Sequence, residues 1–286
     1  GTWQDSLSDT TQNPSNIARL TRAISTEDRR GVDGVVIPQI AYYHPGLGTD
    51  VGPFKSIRNI LAGLFGWGLM QHIKSIYGFI SYNYELGDEI FLFGFSRGAF
   101  LARIINGFIS DFGVLKKPGM SEFVDIFTLY TSREFAENSK LKAIQQALIK
   151  NNVLVNPNAV IVKVIGCFDT IGALGIPRLF PFQRNQYEFF NLSLTCNVEY
   201  ALHALALDET RKAFRPTLWF FPPNRDSSKY KQVWFNGAHI NVGGGDFSHS
   251  VPKSNYLHSH DAVANVLSDG PLIWMVSECQ KLLQFD

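Results

Sequence analysis

The string Gly94-Phe95-Ser96-Arg97-Gly98 stands between an unbroken apolar run, Ile90 to Phe93, and a segment in which Phe100, Ala102, Ile104, Ile105 and Phe108 recur at roughly helical spacing. A chain that passes from buried strand to helix within so few residues must turn sharply at the serine. Such a turn is a nucleophile elbow: it tips the serine into a strained, exposed position with room only for small neighbours, so both Gly94 and Gly98 are expected to be there for steric reasons. A bare Gly-x-Ser-x-Gly arises often by chance, and the blander reading is a Gly-Ser loop. The flanking strand and helix favour the elbow.

Two further apolar runs end in residues that complement a serine. Ala159 to Phe168 reads as a buried strand and is followed by Asp169-Thr170-Ile171-Gly172; Gln232 to Phe235 leads into Asn236-Gly237-Ala238-His239 and the glycine-rich loop to Asp246. A neutral histidine takes a proton from serine when an acid holds its other ring nitrogen. Taken singly, Asp169 is as readily a turn cap and His239 a surface-loop histidine. Together they follow Ser96 in the order Ser, Asp, His, each after an apolar strand, which is the order of α/β-hydrolases. The expected fold class is therefore α/β, a mostly parallel sheet flanked by helices, with Ser96, Asp169 and His239 at its carboxyl edge.

With 286 residues, 45% hydrophobic and 18% charged, and no linker or repeat, the chain reads as a single α/β-hydrolase domain over 1–286. A net charge of +1 with dispersed basic residues gives no reason to expect nucleic acid, and no phosphate-binding glycine loop is present, Gly46-Leu47-Gly48 lacking the rest of a dinucleotide fingerprint. Cys167, Cys196 and Cys279 form no close-spaced pair, so buried reduced thiols in a cytoplasmic protein are expected. No cofactor is called for. His249, His258, His260, Asp246 and Asp261 crowd one stretch without any helix metal-ligand spacing, so metal-assisted hydrolysis is the lesser reading and no metal is expected.

Along the chain the pattern predicts a helix over 15–24 and a short strand over 39–43. Between 57 and 80 it predicts helical packing broken near Gly66 and Gly68, with too many polar residues for a membrane span. A helical stretch over 121–149 would form a small cap, about 116–157, and a further helix is expected around 203–209. The Arg97 side chain is expected to pack on the surface.

The strings Gly1-Thr2-Trp3, Gly87 through Ala99, Phe168-Asp169-Thr170-Ile171-Gly172-Ala173-Leu174-Gly175 and Trp234-Phe235-Asn236-Gly237-Ala238-His239, with His203 to Glu209, Leu267-Ser268-Asp269 and Trp274-Met275, together resemble one family. It is the uncharacterised α/β-hydrolase family that includes the catalytic domain of type VI secretion phospholipase effectors. The resemblance implies a serine hydrolase acting on lipid or other small-molecule esters, with peripheral membrane contact, and carries the triad onto Ser96, Asp169 and His239. The acid in this fold more often follows the next strand, read here as Thr217 to Phe221, so Asp208 and Asp226 stand as rivals to Asp169. The oxyanion donors would be the backbone amide of Arg97 and an amide near Thr2 and Trp3. Asn241 stands where many relatives carry aspartate. The family also opens with an apolar strand and an aspartate before Gly-Thr-Trp, which leads to the expectation that an upstream strand is missing. Because a fold does not specify activity, a catalytically silent interaction module is the rival from outside the enzymes.

Overall fold

The computed structural model describes residues 14–31, 34–45, 67–131, 139–171, 194–195, 197–221, 224, 226–245 and 260–286, and of residues 67, 68, 213 and 260–266 the backbone alone. Its centre is a parallel sheet of four strands: β3 (Glu89–Phe95), β6 (Ile161–Phe168), β7 (Val198–Ala206) and β8 (Tyr230–Phe235), adjacent in that order. Two small antiparallel ribbons lie outside it, β1 (Glu27–Asp28) with β2 (Ile37–Pro38) and β4 (Val114–Leu115) with β5 (Leu154–Val155). A parallel sheet covered on both faces needs strands apolar on both sides. That is what the buried runs of β6 and β7 supply.

Helices cover both faces. On one lie α2 (Trp67–Asn83), α3 (Arg97–Phe112), α4 (Phe123–Thr131) and α5 (Ser139–Lys150), joined in one apolar cluster with Leu92, Val162 and Ala201 of the sheet. On the other, α1 (Asn16–Ala23) and α7 (His260–Cys279) bring Ile17, Met275 and Cys279 against Val164, Phe168 and Leu202. Ser15 caps α1 by accepting the Ala18 N–H at 3.3 Å. Cys167 and Cys279 are free and buried, and burial pushes both thiols up, to about 11 and about 12, which leaves them inert. Among the described residues no helix is long and apolar enough to cross a membrane.

Several sequence readings change here. Residues 203–209 are not a helix: His203 to Ala206 close strand β7 and the chain turns at 207. Alanine and leucine favour helices, but a strand walled in by two neighbours and by helices on both faces is decided by packing. Thr217 to Phe221 carries no ladder; the side chain of Gln232 takes the place of a strand, accepting the Trp219 N–H at 2.8 Å and donating to its carbonyl at 3.1 Å. The pairing expected over 39–43 falls instead at Ile37–Pro38, and α2 runs through Gly68 without a break.

The helical segment 121–149 appears as α4 and α5, with 132–138 outside the described residues. Its aromatic residues face the far end of α3: the Phe108 ring lies 5.1 Å from Phe127 and 4.9 Å from Tyr130, and Phe123 stacks on Tyr77 at 4.9 Å. Phe108 lies twelve residues beyond Ser96, about 18 Å along the helix axis. The described part of this segment is therefore core beside the remote end of α3, and not a cover over Ser96.

Candidate active site

Register aligns the carboxyl ends of the strands, with Phe95 beside Phe168, Phe168 beside Ala204, and Ala206 beside Phe235. The residues that follow these ends therefore share one edge, where ligands of open α/β sheets bind. Ser96 bridges β3 and α3 with φ 60°, a conformation costly for a residue with a side chain. Its backbone N–H donates to Phe168 O at 3.0 Å. Although it is the N-cap of α3, its hydroxyl makes no cap bond. It is 2.9 Å from His239 Nε2 instead. Gly94 has the expected steric reason, since a methyl there would lie 2.4 Å from the Gly98 carbonyl oxygen; Gly98 does not, because nothing stands within 4 Å of its own.

Asp169 follows β6 with φ 39° and is fully buried. Its N–H donates to Ala204 O at 2.7 Å, and its Oδ1 accepts the Ala206 N–H at 2.9 Å, so β7 holds it on two sides. Oδ2 lies 2.6 Å from His239 Nδ1. An ionised carboxylate only accepts, so Nδ1 carries the proton, and Nε2 is left to accept the Ser96 hydroxyl. Of the rivals, Asp208 accepts the Gly237 N–H at 2.6 Å, and Asp226 sits exposed, accepting the Ser228 N–H at 2.8 Å.

His239 opens a short helix, α6 (His239–Gly243), within the stretch that the glycines mark as a loop. Asn241 Oδ1 accepts the Ala238 N–H at 2.9 Å, and Asn16 of α1 donates to Val242 O at 2.9 Å and to Ser268 O at 2.8 Å, tying α6 to both helices of that face. The asparagine at 241 thus serves the turn itself. Phe95 lies 4.7 Å from the imidazole, and a methyl on Gly243 would come within 2.0 Å of the Phe95 ring. Gly243→Ala is accordingly expected to cost about 1–3 kcal/mol by overpacking and to lift His239 from Ser96. Thermal unfolding and turnover measured together check it: an unchanged melting point would contradict the close approach.

The model of the T6SS phospholipase effector Tle1-like catalytic domain matches residues 1–278. The chain belongs to this family. The uncharacterized protein YEL023C of Saccharomyces cerevisiae is 31% identical over 250 residues, covering 82% of this chain and 33% of its own length. The chain thus spans about a third of that curated relative. A crystal structure of an uncharacterized protein from Pseudomonas aeruginosa aligns with 80% of this chain and 28% of its own, at 14% identity and a TM-score of 0.35.

In this Tle1-like chain Thr2 and Trp3 lie outside the described residues, as do Cys196, Asp246, His249 and His258 and the side chains of His260 and Asp261. Among the described residues no group of three or more His, Cys, Asp or Glu is placed to hold a metal. Arg97 is buried rather than on the surface, and burial brings its guanidinium down to about 10. Two residues to which the sequence pattern assigns no role support the site. His203 on β7 is fully buried, and its Nε2 accepts the Thr170 N–H at 3.2 Å and lies 3.0 Å from the Thr170 hydroxyl; burial drives it down to about 3, so it is neutral. Glu209 accepts the His239 backbone N–H at 3.2 Å.

Proposed function

We propose that residues 1–286 act as one α/β-hydrolase domain, a serine hydrolase that cleaves carboxylic esters of lipids, with phospholipid as the leading substrate class. The observation that carries this reading is the buried chain Ser96 Oγ, His239 Nε2, His239 Nδ1, Asp169 Oδ2, with links of 2.9 and 2.6 Å. Membership of a phospholipase-effector family supports the lipid substrate.

In this mechanism the Ser96 oxygen attacks the ester carbonyl as its proton passes to His239 Nε2. Asp169 stabilises the resulting imidazolium without taking the proton. The imidazolium then protonates the leaving alcohol, and water, deprotonated by the same nitrogen, hydrolyses the acyl-enzyme. The tetrahedral oxyanion needs fixed donors. The Arg97 backbone N–H, next to the nucleophile at the start of α3, is the first donor in this reading. An amide near Thr2 and Trp3 is proposed as the second, each being worth about 3 kcal/mol.

A fluorophosphonate probe tests this directly. It is expected to label Ser96 in the wild type, and the protein to hydrolyse phospholipid vesicles and medium or long acyl p-nitrophenyl esters faster than the acetyl ester, with no change on adding a chelator. Absence of labelling points to a silent interaction module. Acetyl preference, or activity lost to a chelator and restored by metal, would overturn the lipid or the metal-independent part of the reading.

A further inference from the structure

The turn that leaves β7 reaches His239 by two routes. The Glu209 side chain is only 2% exposed, and its Oε2 accepts the backbone N–H of His239 at 3.2 Å. Removing a carboxylate from water is costly unless it is paired and hydrogen-bonded. Arg211 pairs with it bidentately, Nε to Oε1 at 2.8 Å and Nη2 to Oε2 at 2.7 Å, and adds its own N–H to Oε1 at 2.9 Å. This partner holds the Glu209 carboxyl low, at about 2, so it stays ionised. The Arg211 guanidinium in turn lies 3.8 Å over the Phe214 ring, and Phe214 meets the imidazole edge-on at 5.0 Å. Phe95 contacts the same imidazole at 4.7 Å. Asp208 secures the preceding residues, exchanging hydrogen bonds with Gly237 N–H at 2.6 Å and Gly237 O at 3.0 Å.

We infer that Glu209, clamped by Arg211, is a positioning residue for His239: it fixes the backbone by one hydrogen bond and, through Arg211 and Phe214, the plane of the ring. The inference rests on the reading of Ser96 as nucleophile and His239 as its base. Asp169 sets which nitrogen carries the proton, but the bonds at Nδ1 and Nε2 leave the ring free to rock about the line that joins them. The contacts with Phe214 and Phe95 restrict that rocking, and the Glu209 bond fixes the point from which the side chain springs. Both Glu209 oxygens are already taken, Oε1 by Arg211 and Oε2 by Arg211 and the His239 N–H, so its loss acts on the geometry of proton transfer and not on ester binding.

The test compares kcat and KM on a soluble p-nitrophenyl ester, and the rate of Ser96 labelling by a fluorophosphonate, in Glu209→Ala, Glu209→Gln, Glu209→Asp and Arg211→Gln. Misplacing a reacting group by an ångström costs about a hundredfold, so Glu209→Ala is expected to lower kcat and labelling about ten- to hundredfold. KM is expected to stay within about twofold, because binding is not touched. Glu209→Gln keeps an oxygen for the His239 amide and regains part of the loss. Glu209→Asp keeps the charge but falls a methylene short, and does not. Arg211, whose side chain is 53% exposed, can be replaced without opening the core, so Arg211→Gln carries the comparison should Glu209→Ala fail to fold; a smaller, kcat-only loss is expected. Wild-type kcat in both, a rise in KM alone, or rescue by Asp and not by Gln would overturn the inference. A wild type that labels at Ser96 while the Glu209 variants keep its rates removes this inference only; a wild type no more active than Ser96→Ala removes the underlying reading with it.

Discussion

Replacing Ser96 with alanine is expected to lower kcat by about a million-fold, and replacing His239 with alanine by a similar factor, because serine and base act as one unit. The double variant should be no slower than either single one. The physical reason lies in the 2.9 Å link between Ser96 Oγ and His239 Nε2: without the hydroxyl there is nothing for the imidazole to deprotonate, and without the imidazole the hydroxyl proton has no acceptor. The Arg97 amide and the binding surface remain in all three proteins, so a small residual rate is expected. The fold should survive, since the Ser96 side chain makes no cap bond to α3 and alanine keeps the turn small. Turnover of a p-nitrophenyl ester by protein checked for an unchanged melting profile decides it. Multiplying losses in the double variant would mean that two separate functions had been removed.

How much of this site could be read in the sequence depended on whether its determinants were local. Ser96 sits in a turn whose strand and helix are both encoded within a few residues, so β3, α3 and their junction were legible. Strand β7 was not. Its Val-Glu-Tyr-Ala-Leu-His-Ala-Leu-Ala sequence lacks alternation because β6 and β8 flank it and helices cover both faces, and a run without alternation cannot be told from a helix by period alone. Misplacing that strand has a consequence, since Thr217 to Phe221 then reads as the next strand and Asp226 beyond it stands as a rival alongside Asp208. The next strand is β7, and the acid that follows it, Asp208, is bonded to the Gly237 amide. Glu209 left no sequence signal for its role, because its partner is a main-chain N–H thirty residues on and no side-chain pattern encodes such a contact.

Asp169→Asn is the second substitution with a large expected effect, about ten-thousandfold in kcat with the fold retained. Two neighbours fix how the new amide sits. The Ala206 N–H points at Oδ1 from 2.9 Å and requires an acceptor there, so the asparagine oxygen takes that position and the NH2 group faces His239 Nδ1. Nδ1 must then accept, its proton moves to Nε2, and Nε2 presents a donor to Ser96 where an acceptor is needed. Reversing the amide puts NH2 against the Ala206 N–H and leaves that buried donor unsatisfied, at about 1–3 kcal/mol. That reversed amide would keep the working tautomer but lacks the charge that stabilises the imidazolium, so the first arrangement is the lower in energy and neither restores the pair. Asp208→Asn keeps an oxygen for the Gly237 N–H, and Asp226→Asn changes an exposed turn, so both are expected to stay near wild-type turnover. The three variants measured side by side, with melting points as the control for folding, separate the candidates: an active Asp169→Asn beside an inactive Asp208→Asn would transfer the acid's role to the end of β7.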